Sequence, residues 1–284
     1  MRASISTRAP LGFVVTAMAA LLGFVVTVTA GICLGAGDPI GAQTAKTIYQ
    51  TTLEELGQRT SEVSTADLRR ILADGSATVF DARPPREYAM SHIPGAVNVR
   101  GKPGRPMSQY VPDAGEIARA LGDNRSSPIV LYCSGPFCGR SKRLSEELLA
   151  AGFTNVQRFQ LGIPVWRALG GSTQIELEAV AYVHDMDRSA VFIDAREPEE
   201  FRAATFPRAV NVPASRLERG KDVGEVQRAK DDGRLPMEDH NTRVIVFGRD
   251  GGQARAVAEA IIGEAFHNVA FYGGTFESLR LHVQ

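Results

Sequence analysis

The sequence predicts an α/β protein made of two rhythmically identical halves, each a mainly parallel sheet flanked by helices, following an N-terminal apolar segment. Three observations predict it. Residues 80–99 (FDARPPREYAMSHIPGAVNV) and 193–212 (IDAREPEEFRAATFPRAVNV) align without a gap, Asp81 with Asp194, Arg83 with Arg196 and Asn98 with Asn211, at an offset of 113. The offset returns where Phe153–Val156 meets Phe266–Val269, so it marks a duplication and not a chance match. Within each copy, short apolar runs alternate with amphipathic stretches, the pattern of buried parallel strands covered by helices.

The 284 residues carry 32 Lys+Arg against 32 Asp+Glu and are 44% hydrophobic. That balance excludes a broadly basic nucleic-acid coat and an acidic disordered tail, and it provides enough apolar mass for two cores. No nucleic-acid partner is expected. Three cysteines are too few for a disulfide scaffold, and no pair of CxxC motifs suggests zinc. No metal cluster or dinucleotide fingerprint is visible, so neither metal nor cofactor is expected; Gly251-Gly252 alone is too weak a signal.

Residues 1–37 read as a signal anchor or signal peptide. No charged side chain lies between Ala9 and Gly37, and Leu11–Leu34 is apolar enough to span a hydrocarbon core of roughly 30 Å as a helix. Arg2 and Arg8 precede it, which orients the chain with its domains outside the cytoplasm, on the periplasmic side. Two readings stand: an uncleaved membrane anchor, or a long leader cut after Ala30 or Ala42 and the rest secreted. Cys33 is a small hydrophobe of this segment. Residues 38–60 form a polar tether, 61–172 the first copy and 173–284 the second.

In copy one, Ser64 or Thr65 caps a helix over Ala66–Ala73 with Leu68, Ile71 and Leu72 on one face. Thr78–Asp81 is a buried strand ending in an acid. Pro128–Cys133 (PIVLYC) is a second buried strand, followed by a Gly-containing loop and a helix over Ser141–Ala151. Copy two repeats this with Arg243–Gly248 (RVIVFG), Gly251-Gly252 and a helix over Ala254–Ile262. Gly101–Pro112 and Glu218–His240 read as solvated surface insertions.

Ligands of parallel sheets sit at the carboxyl ends of strands, and Cys133 falls at such an end. Ser134, Gly135, Gly139 and Ser141 belong to a loop able to turn backbone N–H groups toward an anion, at the start of a helix whose dipole adds positive potential. Arg140, Lys142 and Arg143 bring further positive charge. All three effects favour thiolate at Cys133, making it a candidate nucleophile with Arg140 as the group that orients an oxyanion. Cys138 follows Cys133 by five positions. It could close a loop disulfide, resolve an adduct on Cys133, fill the loop interior, or be the nucleophile itself, being nearer Arg140; the strand-end position favours Cys133. Asp81 and Asp194 read as loop-holding acids, Arg83–Glu87 and Arg196–Glu200 as local ion pairs, His92 as a hydrogen-bonded turn residue and Trp166 as packing.

As an ordered set, Asp81-Ala-Arg83, Glu87-Tyr88, His92–Val99, Tyr132-Cys133 leading to Arg140-Ser141, Phe153–Val156 and Gly162–Trp166 resemble the rhodanese family, and the resemblance covers both copies. It implies a sulfurtransferase in which Cys133 takes sulfane sulfur from a small donor such as thiosulfate, as a persulfide, and yields it to a thiol or cyanide. The alternative is a non-catalytic or redox-sensing module with a Cys133–Cys138 disulfide. Two departures from the family pattern stand out. Six residues separate Cys133 from Arg140 where the family has four, and related phosphatases five. Copy two has Gly248 for Cys133 and Gln253 for Arg140, so it is expected to be inactive, whereas tandem rhodaneses usually keep the second copy active.

Overall fold

The computed structural model describes residues 57–282. The apolar segment, Cys33 and most of the tether lie outside the described residues; among those described, no helix is long and apolar enough to cross a membrane. Copy one begins with strand β1 (Ser61–Glu62) and helix α1 (Thr65–Asp74), then β2 (Thr78–Asp81), α2 (Pro85–Met90), β3 (Val97–Asn98) and α3 (Ala114–Ala120). It continues with β4 (Ile129–Tyr132), α4 (Gly139–Ala150), β5 (Val156–Phe159) and α5 (Gly162–Ala168). Copy two runs β6 (Thr173–Ile175), α6 (Leu177–Met186), β7 (Val191–Asp194), α7 (Pro198–Ala203) and β8 (Ala209–Asn211). It ends with α8 (Gly224–Asp231), β9 (Val244–Phe247), α9 (Gly251–Gly263), β10 (Val269–Tyr272) and α10 (Phe276–His282).

Each copy holds one five-stranded, all-parallel sheet, in the order β1-β5-β4-β2-β3 and its equivalent β6-β10-β9-β7-β8. Strand residues alternate between two cores, as a sheet covered on both faces requires. In copy one, Val79, Val130, Tyr132 and Phe159 face one core, while Phe80, Ile129, Leu131 and Val156 face the other. Ser64 caps α1 by accepting from Asp67 N at 3.0 Å, and Gly75 ends the helix at φ 63°, a left-handed conformation glycine adopts freely.

The copies are joined by more than the chain. His92 and Gln174 exchange backbone hydrogen bonds of 2.9 Å in both directions, and Glu176 N donates to Ala89 O at 2.8 Å. Ala89 of α2 is buried in a core of copy two, and Met90 packs against it.

One insertion differs from expectation. Glu218–His240 is not a solvated loop: it contains α8, whose Val226 and Ala229 enter the copy-two core with Leu235. Its charges hold it down. Buried Glu225 accepts from Arg234 Nη1 at 2.7 Å and Arg228 Nη1 at 3.1 Å, and Lys230 bridges Asp222 (2.6 Å) to buried Glu264 (2.7 Å). The apolar signal was diluted by the lysines and arginines that form these pairs. Gly101–Pro112 is largely exposed and closed by a bridge between its ends, with Tyr110 tucked inward to donate to Val99 O at 2.6 Å.

Candidate active site

The register sets Asp81 beside Tyr132 and Tyr132 beside Phe159, so three strands end level. Cys133 is the next residue after β4 and is 1% exposed. Its carbonyl accepts from Ile163 N at 3.2 Å. That approach requires Gly162, at φ +65°, because a Cβ there would stand 2.3 Å from Cys133 O.

Beneath this row lies a buried ion pair. Arg83 Nε sits 3.0 and 3.1 Å from the two Asp81 oxygens and its Nη2 2.5 Å from Oδ2, while Nη2 also donates to Ser91 O at 2.7 Å. Burial opposes the Arg83 charge, but Asp81 outweighs it and raises the guanidinium pKa further. The same loss of solvent, reinforced by the Asp81 charge, pushes the Tyr132 hydroxyl well above its ordinary range. That hydroxyl accepts from Ile93 N at 3.1 Å. Arg83 and Arg196 therefore pair with Asp81 and Asp194, not with Glu87 and Glu200 as the helical spacing suggested. A strand-end acid two residues before the arginine forms a fork that neither glutamate matches.

His92 is hydrogen-bonded, as expected, but it stands in the bridge to Gln174 and not in the turn, which falls at Pro94-Gly95. Its Nδ1 lies 3.0 Å from Tyr88 O, its ring stacks on Tyr88 at 3.8 Å, and burial pulls its pKa down to about 4. Trp166 packs in the core and donates Nε1–H to Ser172 O at 2.8 Å.

The loop takes one of the forms its two cysteines allowed. Cys133 and Cys138 are joined as a disulfide, their Cα atoms 6.2 Å apart, inside the span that such a bond accepts. Cys138 N–H donates to Gly135 O at 3.1 Å, closing a turn, so that amide is not aimed at the Cys133 sulfur. Gly135 adopts φ 143°, and Gln160 Nε2 pins the loop by donating to Pro136 O at 3.2 Å. Helix α4 starts at Gly139, not near Ser141, and Cys138 is its N-cap, with no side-chain capping hydrogen bond.

Ser134, Gly135, Pro136, Phe137, Cys138 and Arg140 line a shallow recess of about 330 Å³. Of the predicted site residues, Ser134, Gly135, Cys138 and Arg140 thus come together, and Cys138 ties the recess to the buried Cys133. Gly139 is exposed at the helix start, and Ser141 is buried on the other side, accepting from Arg158 Nη2 at 3.5 Å. Phe137 is 96% exposed at the loop tip. Sequence reasoning missed Glu87 as a neighbour of this recess: Ser134 Oγ donates to Glu87 Oε2 at 3.2 Å and lies 3.9 Å from Cys133 Sγ. The signal for Glu87 is its place in the family pattern, where its nearness to Arg83 in sequence suggests an ion pair instead. No group of His, Cys, Asp and Glu among the described residues is arranged to hold a metal ion.

Residues 64–169 and 179–281 both match the family model described as Rhodanese-like domain. The chain belongs to the rhodanese family. Relatives of this rhodanese chain include an HTH-type transcriptional regulator of Mycobacterium tuberculosis, 32% identical over 115 residues, a match covering 40% of this chain and 45% of the regulator. SseB of the same species, provisionally named a thiosulfate sulfurtransferase, is 27% identical over 223 residues, covering 62% of this chain and 77% of SseB. Among solved structures, the thiosulfate sulfurtransferase of Pseudomonas aeruginosa is 20% identical with a TM-score of 0.33, covering 79% of this chain and 43% of that one. The chain spans less than half the length of the regulator and of the Pseudomonas enzyme.

Proposed function

We propose that this tandem rhodanese is a sulfurtransferase whose first copy moves sulfane sulfur through Cys133. The observation that carries the reading is the placement of a sulfur at the carboxyl end of β4, bonded to a cysteine of the recess that Arg140 lines, in the copy that keeps both cysteine and arginine. A sulfurtransferase name among the relatives agrees with it.

In the reduced chain, the Cys133 thiolate attacks the outer sulfur of a donor such as thiosulfate, and the donor S–S bond breaks with sulfite as leaving group. Arg140 orients the donor oxyanion with fixed positive charge. The Cys133 persulfide then passes its outer sulfur to a thiol or cyanide. A disulfide cannot attack, so the loop pair has to be reduced before the cycle begins. Copy two, without nucleophile or arginine at the matching positions, serves as a structural partner.

We also place the two copies outside the cytoplasm, tethered or released by the segment before residue 38; the charge-free run behind Arg2 and Arg8 supports this. Protease protection of spheroplasts tests it, and copies shielded from added protease would refute it.

A second reading has one specific observation in its favour, the disulfide: a redox-sensing module that docks a partner and transfers no sulfur. Mass spectrometry of the reduced Cys138→Ser chain after thiosulfate treatment separates the two. Gain of one sulfur atom on Cys133 supports transfer. A chain that gains none supports the sensor and overturns the enzyme.

A further inference from the structure

We infer that the first copy releases its cargo internally: Cys138 attacks the Cys133 persulfide and liberates hydrosulfide, making the chain a dithiol-dependent sulfide-producing enzyme. The inference rests on the sulfurtransferase reading and adds the identity of the first acceptor, which is a thiol of the same loop.

Three features carry it. The first is reach. The bond between Cys133 and Cys138 shows that the backbone brings the second sulfur onto the first, with Gly135, the Gly135–Cys138 turn and Gln160 holding the loop in that shape. A covalently reachable neighbour competes with external acceptors at a high effective concentration.

The second is activation. Cys138 occupies the N-cap of the twelve-residue helix α4, whose first turn carries Arg140 and no acidic side chain. The unpaired amides and the dipole of a helix start favour a negative cap, and a thiolate there is stabilised relative to the thiol. The matching helix of copy two meets the same need with a carboxylate: Asp250 caps α9 by accepting from Gln253 N at 2.8 Å. Copy one has no such oxygen at its N-cap, and a sulfur in its place.

The third is the different exposure of the two sulfurs. Cys133 is 1% exposed, whereas Cys138 is half-buried and lies beside Phe137 at the open loop tip. A reductant therefore meets Cys138 first.

The step balances without an outside oxidant. The Cys138 thiolate forms a bond to Cys133 Sγ; the bond from Cys133 Sγ to the outer sulfur breaks, and its electron pair leaves with that sulfur, which takes a proton from water as hydrosulfide. The two thiols lose two electrons as they become the disulfide, and the sulfane sulfur gains them. A dithiol reductant then attacks Cys138 Sγ and expels the Cys133 thiolate, and its second thiol clears Cys138. The disulfide form is a stage of this cycle.

A single-turnover experiment tests it. The full chain is reduced, freed of reductant and given thiosulfate without any thiol or cyanide. The expected yield is on the order of one sulfide per chain, with the protein recovered as the Cys133–Cys138 disulfide. Under the same conditions, Cys138→Ser should keep one extra sulfur on Cys133 and release sulfide only after dithiothreitol is added. A wild-type chain that keeps the extra sulfur and releases no sulfide overturns the inference but leaves the transferase reading standing. So does a Cys138→Ser chain that releases sulfide as fast as wild type. If neither chain takes up sulfur, both readings fall.

Discussion

The two copies solve the same problem, the turn from a central strand into a helix, with different chemistry. In copy two, four residues separate Gly248 from Gln253, and the turn satisfies itself. Gln253 Oε1 accepts from Arg249 N at 2.8 Å, Asp250 caps the helix, and Arg249 reaches Glu200 Oε2 at 2.8 Å. The space an incoming anion would use is taken by the chain's own oxygens. In copy one, six residues separate Cys133 from Arg140. Ser134 stands where Arg249 does and donates to Glu87, the counterpart of Glu200. The N-cap is a cysteine, and a recess stays open above the strand end. The lower halves of the sites, by contrast, are nearly interchangeable: each copy buries an Asp–Arg fork, with the Asp also accepting from the arginine's own N–H at 2.9 or 3.0 Å. Duplication kept the foundation and let the loop diverge. Reactivity is therefore a property of the few residues above the strand, and the ion pair below is architecture.

The strongest way to break this comparison is to remove the sulfur. Cys133→Ser should lower thiosulfate-to-cyanide transfer by about 10³-fold or more, since it removes the sulfur at the end of the central strand, the position that takes up the donor sulfur. Retained turnover in a steady-state thiocyanate assay would show that the open loop is not where chemistry occurs.

The shared foundation gives the next effect. Asp81→Asn leaves the Arg83 charge buried and unpaired, and Asp194→Asn does the same to Arg196; each should cost about 3–5 kcal/mol in denaturant unfolding. Their local partners differ. Copy one sets the Tyr132 hydroxyl against its acid, whereas copy two has Phe247 at that position and uses Thr205 Oγ, which donates to Asp194 Oδ2 at 2.8 Å. Double variants should therefore show Thr205 coupled to Asp194 and Tyr132 coupled to Asp81. Costs near zero for either single variant would show that the fork is not a structural element.

Much of this was legible from residues alone. The repeat gave the duplication, and alternating apolar runs gave β2 and β4 within a residue, because buried parallel strands leave few readings for such segments. Cys133 follows β4 and Ser64 caps helix α1, both where expected, whereas Arg140 lies inside the first turn of α4. The misses have physical causes. Helix α4 begins two residues before Ser141 because Gly139 and Arg140 accept helical geometry, though neither is an apolar marker of it. The charged stretch around α8 hides its core face because buried Glu225 and half-buried Lys230 are held by Arg234 and Glu264, beyond one helical turn, which periodicity cannot see. Spacing favoured Arg83 with Glu87, but level strand ends put Asp81 nearer.

The junction offers a smaller, pH-dependent effect. His92 exchanges hydrogen bonds with Gln174 across the two copies, and burial holds its pKa down at about 4, below the ordinary 6.5. Between these values the unfolded chain binds the proton more readily than the folded one, so stability rises with pH across that window. The contribution is complete above pH 6.5 and is lost as pH falls through 4, at most about 3 kcal/mol. Glu176 Oε1, 3.5 Å from Nε2, would partly offset the loss by pairing with the protonated ring. His92→Gln should flatten the acid limb of the stability curve between pH 4 and 6.5; an unchanged limb would move the acid sensitivity elsewhere.

The last prediction asks whether a sulfur alone would turn the silent copy into the active one. In a Cys133→Ser background, Gly248→Cys should gain no sulfur from thiosulfate. A Cβ at Gly248 would stand 3.0 Å from Gln253 Oε1, 3.1 Å from Ala254 N and 3.2 Å from Asp250 O, so the new side chain meets a filled turn. The positive charge is also missing, because Gln253 stands where Arg140 does and Asp250 adds a negative charge at the helix start. Combining Gly248→Cys with Gln253→Arg removes the intruding amide and restores the cation, and Asp250→Gly removes the opposing carboxylate. Uptake of sulfur by the triple variant but not by Gly248→Cys would assign the difference between the copies to the occupied turn and its charge. Uptake by Gly248→Cys alone, read by mass spectrometry, would mean that the nucleophile is the whole difference and the longer loop of copy one is dispensable for loading sulfur.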